Sequence, residues 1–220
     1  MTTALEDPRW LALSEERRRT LLEENRDYDV EDGLEWWDCI EEMFKEDCME
    51  KGIYVEEMYF SGFWSQGDGA SFKGWVDDWA KLLTHLGKPK YVPHAADEGW
   101  RLSCTSRGNY SHSGCMSFEE QVNAPDNPYD EDTQPLQHSA FELTTISAAD
   151  VEEVSTNVVD FFKKLADELY CDLEKEYDYL TSDEHVVERL LDRMDDDELR
   201  GEEDEDDETE DSNQMEFDFA

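Results

Sequence analysis

Residues 53–76, IYVEEMYFSGFWSQGDGASFKGWV, decide the fold class. Aromatic and β-branched residues flank Ser65-Gln66-Gly67-Asp68-Gly69, a five-residue loop with two glycines, and that pattern reads as a β-hairpin. Before it, LEWWDCIEEMFKEDCMEKG (34–52) repeats apolar residues at helical steps through Trp36, Trp37, Ile40, Met43, Phe44 and Cys48, and stops at Lys51-Gly52. After it, DDWAKLLTHLG (77–87) returns to helical spacing at Trp79, Leu82, Leu83 and Leu86 and ends on Gly87. A hairpin set between amphipathic helices predicts an α+β domain.

Working outward, Ser14 can cap a short helix running to about Glu24, and the charged stretch around Gly33 reads as a connector. A second hairpin is expected in residues 100–122, where Leu102 and Cys104 alternate before Arg107-Gly108-Asn109 and Tyr110, His112, Gly114, Met116 and Phe118 alternate after it. Residues 123–139, with three of the six prolines, read as a surface loop. Ser147 or Ala148 opens the longest helix, with a core stripe of Val151, Val154, Val158, Phe161, Leu165, Leu169, Leu173 and Tyr177. Thr181 and Glu184 have capping-box spacing for a last helix that carries Val186, Val187, Leu190, Leu191 and Met194. The expectation is one domain over 1–194, its first ten or so residues flexible, with a small antiparallel sheet of two hairpins packed with helices. Residues 195–220 read as a disordered acidic tail, because so few apolar side chains cannot offset the entropy of ordering.

The net charge is −41, from 60 acidic and 19 basic residues, and it is not confined to the tail. Residues 195–220 hold 15 carboxylates and one Arg, so residues 1–194 keep 45 acidic against 18 basic side chains, a net of −27. Such a body repels nucleic-acid phosphates and attracts cationic surfaces, although solubility or a salt-rich cytoplasm also selects acidic proteins. Carboxylates at Glu41, Glu42, Glu46 and Glu50, and at Glu168, Asp172, Glu176 and Asp183, recur at intervals that could imitate a phosphate backbone. The five cysteines, 39, 48, 104, 115 and 171, contain no CxxC pair and are odd in number, which points to reduced thiols in a cytoplasm. No export signal and no run of apolar residues long enough to span a membrane is legible.

Candidate chemistry is sparse. Ser65, Gln66 and Asp68 sit where a glycine-rich loop could present them, and His112, among Ser111, Ser113 and Cys115, could join them as a nucleophilic or metal-binding group. A tight turn needs Gly and Asp for backbone reasons alone, and HExxH, GxSxG and the phosphate-cradling loop are all missing. No catalytic residue, metal ligand or cofactor is therefore assigned. At the C-terminus, Gln214-Met215-Glu216-Phe217-Asp218-Phe219 restores apolar anchors after a run of acids. The pattern resembles the hexapeptide with which many proteins dock on the bacterial sliding clamp, so Gln214, Met215, Phe217 and Phe219 are candidate partner-binding residues.

The order of motifs resembles an uncharacterised family encoded mainly by tailed bacteriophages and prophages. Trp36-Trp37-Asp38, Phe60 to Ala70, Tyr110 to Cys115 and Glu176 to Glu184 carry the resemblance, over roughly residues 20–190. Some relatives bear an antitoxin-like label, and the family brings no catalytic residues with it. The resemblance implies a phage-type accessory protein in the host cytoplasm that binds a host protein with a basic or nucleic-acid-binding surface, DNA mimicry being the sharpest form. Two alternatives stand beside it: a replication accessory bound to the sliding clamp, and an enzyme of unknown reaction built on the SQGDG loop and His112.

Overall fold

A computed structural model of the chain describes residues 3–31, 35–97, 99–106, 111–121 and 147–201. In chain order its elements are α1 (Pro8–Leu11), α2 (Glu15–Asn25), α3 (Asp38–Glu50), β1 (Ile53–Phe60), β2 (Ala70–Val76), α4 (Trp79–His85), α5 (Val92–Asp97), β3 (Arg101–Ser106), β4 (Met116–Gln121), α6 (Ala148–Leu180), α7 (Asp183–Arg193) and α8 (Asp196–Arg200). The class is α+β, with a single antiparallel sheet in the order β1-β2-β3-β4. No helix among the described residues is long and apolar enough to cross a membrane. Where one domain was expected, the chain divides into two compact units, one of residues 32–178 and one of residues 1–31 with 179–220.

The larger unit is the sheet and its helices. Alternation turns one face of the sheet inward, burying Ile53, Val55, Phe72, Leu102 and Cys104 with Phe44 and Cys48 of α3. Helix α6 adds Val154, Val158, Phe162, Leu165, Leu169 and Leu173 to the same core. Phe72 meets Phe162 with ring centroids 5.6 Å apart and Phe44 at 5.3 Å, so the aromatic rings lock both helices to the strands. The core stripe of α6 passes through Phe162, wholly buried, and not Phe161, which is only partly buried beside the His85 ring. A step of four from Val158 keeps the stripe in line, whereas a step of three moves it off the sheet. Met43, expected inside, is 68% exposed.

Two strand boundaries differ from expectation. The first hairpin ladder closes at Phe60 opposite Ala70, so its loop spans residues 61–69 rather than the five residues from Ser65 to Gly69. The second hairpin pairs Ser106 with Met116, and His112 lies before the strand, leading into a 3-10 turn of Ser113–Cys115. The Arg107-Gly108-Asn109 turn and the proline-rich segment lie outside the described residues.

The smaller unit has its own core of Trp10, Leu13, Leu21, Val186, Val187, Leu190, Leu191 and Leu199. Ser14 caps α2 by accepting from the Arg17 N–H, as its position suggests. Helix α7 is capped by Ser182, whose Oγ accepts from the His185 N–H, and not by Thr181. Asp29 pairs with Arg189 Nη1 at 2.7 Å and contacts His185 Nε2 at 2.8 Å, tying the chain after α2 to α7. The first ten residues are ordered from Thr3 on: Asp7 caps α1, Pro8 opens it and Trp10 is 3% exposed.

The expected tail boundary at 194 is also too early. Asp195 caps α8 by accepting from the Asp197 and Glu198 amides at 2.9 Å, while the Glu198 carboxylate returns to the Asp195 N–H at 3.0 Å. Arg17 donates through Nε to the Leu199 carbonyl and through Nη2 to the Glu198 carbonyl, each at 2.9 Å, satisfying the last turn. Leu199 is 1% exposed. Residues 202–220, with Gln214, Met215, Phe217 and Phe219, lie outside the described residues.

Candidate functional site

At one end of β1 and β2, the loop 61–69 is closed by its own backbone and by one carboxylate. The Ser61 N–H donates to the Gly69 carbonyl at 3.1 Å across the neck, and the Asp68 N–H donates to the Ser65 carbonyl at 3.0 Å. Asp68 Oδ2 accepts from the Trp64 amide at 3.0 Å and the Ser65 amide at 2.6 Å. This is a backbone-directed role of the kind Asp plays in turns, and it takes Asp68 out of any triad with His112. Ser65 and Gln66 are exposed at the tip. Asp68→Ala is expected to lower stability by about 1 kcal/mol, the net worth of a hydrogen bond or two. Hydrogen exchange would then show the Trp64 and Ser65 amides losing protection while those of β2 keep theirs.

The closed loop holds aromatic rings against α6 and the chain before α3. Phe63 stacks on Tyr170 at 5.6 Å and contacts Tyr177 at 5.0 Å; Trp36 meets Phe60, Phe63 and Tyr177 between 5.7 and 6.3 Å. The Tyr170 hydroxyl donates to the Gly62 carbonyl at 3.3 Å. Its phenol is pushed up by burial first and then by the nearby carboxylates of Glu174 and Asp68. Trp64 sits on this platform, edge-on to Tyr177 at 5.0 Å, yet is 76% exposed. Pattern alone makes Trp64 a strand flank, so sequence reasoning misses it as a surface feature. The available signal is an indole next to a loop with two glycines.

His112 does come to the loop. A Cβ on residue 69 would lie 2.4 Å from His112 Cβ and 2.6 Å from its Cα, so only glycine lets the two chains approach this closely. The His112 Nδ1 accepts from the Gly114 N–H at 3.1 Å, and its Nε2 lies 3.3 Å from Cys115 Sγ. Thus the structure joins His112 to the neck of the loop and to Cys115, not to the Ser65, Gln66 and Asp68 side chains. Among the described residues no group of three or more His, Cys, Asp or Glu could hold a metal ion.

The expected acidic stripes divide. Glu41 pairs with Lys45, Glu168 with Lys164, Asp172 with Lys175 and, in the smaller unit, Asp183 with Arg26. On α3, Asp38, Glu42, Glu46 and Glu50 are exposed at four-residue intervals and make no ion pair among the described residues. They form a row with a rise of about 6 Å per step. A cleft of about 390 Å³ lies elsewhere in the larger unit, at the end of β2 remote from the loop, and is lined by Trp75, Val76, Arg101, Leu102, Ser103 and Glu119.

Residues 36–183 match the family described as a domain of unknown function (DUF8835), and the chain belongs to that family. The match nearly coincides with the larger unit and contains the loop, its aromatic platform and the His112 turn. No curated protein and no solved structure matches the chain.

Proposed function

We propose that this chain is a phage-type accessory protein of the host cytoplasm whose larger unit binds a host protein through that protein's basic, nucleic-acid-binding surface. Trp64 carries the reading: an indole 76% exposed, mounted on a loop closed by Asp68 and seated on Tyr177 and Phe63. Covering so large an apolar group with a partner is favourable, and Trp is one of the residues in which binding hot spots are enriched. Glu174, Glu176 and Asp178 flank Tyr177 on α6, and the α3 row adds four more carboxylates to the same unit. The partner chemistry that fits is Arg or Lys beside an apolar pocket, because a guanidinium can both face an indole ring and pair with carboxylates. Charge speeds encounter and the indole slows release.

Trp64→Ala is expected to weaken partner binding about 30-fold or more, the cost of losing a strong anchor. Thermal unfolding should change little, since the ring is 76% exposed and lies outside the buried core. Added salt should weaken the parent and the variant alike, because charge attraction is a separate contribution. A Trp64→Ala protein that bound its partner as tightly as the parent would rule the indole out as the anchor.

A further inference from the structure

The His112 turn builds a second kind of site, independent of the exposed indole. A backbone N–H can only donate, so the Gly114 amide requires a lone pair on His112 Nδ1 and leaves the proton of the neutral ring on Nε2. That proton points at Cys115 Sγ, 3.3 Å away, which makes the sulfur the acceptor of the pair. The thiolate is the form of sulfur that accepts best and the form that reacts. Two glycines make room for this arrangement: Gly69 lets its chain abut the His112 Cα and Cβ, and a side chain at residue 114 would crowd the ring, since a Cβ there would come within 3.0 Å of it.

The other four thiols lack this arrangement. Cys48 and Cys104 are buried in the core, and burial pushes both up to about 12. Cys39 and Cys171 are exposed on α3 and α6, and neither has a hydrogen-bonded imidazole. Cys115 is only partly exposed, so exposure and the His112 contact rank the thiols differently.

We propose that Cys115, with His112 as its positioning residue, is the reactive thiol of this protein and a site of mixed-disulfide formation with small neutral disulfides. The Cys115 proton passes to water, and the thiolate attacks one sulfur of the disulfide. A bond forms between Sγ and that sulfur as the old S–S bond breaks, and the departing thiolate takes up a proton. One disulfide is consumed and one is made, so no further oxidant enters. The adduct forms beside His112, whose Cα and Cβ abut Gly69 at the neck of the loop that carries Trp64.

The test treats the full chain with the neutral disulfide of mercaptoethanol at pH 7 and maps each cysteine by mass spectrometry over time. Cys115 is expected to react at least about tenfold faster than Cys39 or Cys171, despite their greater exposure. His112→Asn retains an oxygen to accept the Gly114 N–H and removes the donor to the sulfur. It should slow Cys115 about tenfold and leave Cys39 and Cys171 unchanged. Cys48 and Cys104 report folding, because both stay unmodified while the core is closed. If Cys115 in the parent reacts no faster than the exposed pair, or His112→Asn leaves its rate unchanged with the core closed, the proposal is wrong. Should the variant open the core, the ranking in the parent decides alone.

Discussion

Replacing Phe162 by Ala is expected to destabilise the larger unit by about 3–5 kcal/mol, while Phe161→Ala costs about 1 kcal/mol or less. The contrast comes from one helical position. Phe162 is wholly buried, stacks on Phe72 at 5.6 Å and meets Phe118 edge-on at 6.1 Å, so its loss opens a cavity between α6 and the sheet. Phe161 is only partly buried and its ring contact is with His85, a position where water can replace what is removed. Urea denaturation of both variants, followed by far-ultraviolet circular dichroism, measures the two losses. Equal losses would mean that the register of α6 on the sheet is not the one described.

Leu199→Ala is expected to cost the smaller unit about 2–5 kcal/mol, although Leu199 lies in one of the most acidic stretches of the chain. Its side chain is 1% exposed within the core that contains Trp10, Leu21 and Val187. Truncation after Met194 would remove the same side chain and also the Glu198 and Leu199 carbonyls that Arg17 holds. Truncation after Gly201 removes neither. Comparing the two truncations by thermal unfolding separates the contribution of α8 from that of residues 202–220. The shorter protein should melt lower and the longer one should match the full chain; equal melting would show that α8 adds nothing.

The class and the placement of most elements are legible in the sequence, because long amphipathic stretches have a strong period. The buried positions of α7 and the turn-in at Gly87 are examples, the glycine having φ of +70° where the helix ends. Sequence and structure part where a local contact imitates a pattern. Phe63 and Trp64 look like strand residues, but Asp68 folds back onto the Trp64 and Ser65 amides and stops the ladder at Phe60. Tyr110, His112, Gly114 and Met116 alternate like a strand, yet the Gly114 N–H turns toward His112 and only Met116 onward pairs with β3. A single Leu among carboxylates gives no apolar period at all. The readable clue at Leu199 is the Asp195 and Glu198 capping-box spacing, with Gly201 closing the helix.

Of the expected site, the loop and His112 are legible as neighbours worth joining, whereas their chemistry is not. Asp68 is consumed by the backbone, Cys115 takes its place beside His112, and the exposed surface of Trp64 depends on the aromatic platform that α6 supplies from far along the chain. Spacing in sequence carries no trace of such a contact.

The most direct measurement immobilises the full chain and its Trp64→Ala variant and compares the proteins each retains from a bacterial lysate at about 0.1 M salt, with and without competing duplex DNA. The predicted result is a set of basic proteins held by the parent, displaced by DNA and by added salt, and largely lost from the variant. Retention of the same proteins by the variant, or retention indifferent to both DNA and salt, would contradict binding through an indole anchor and an acidic surface.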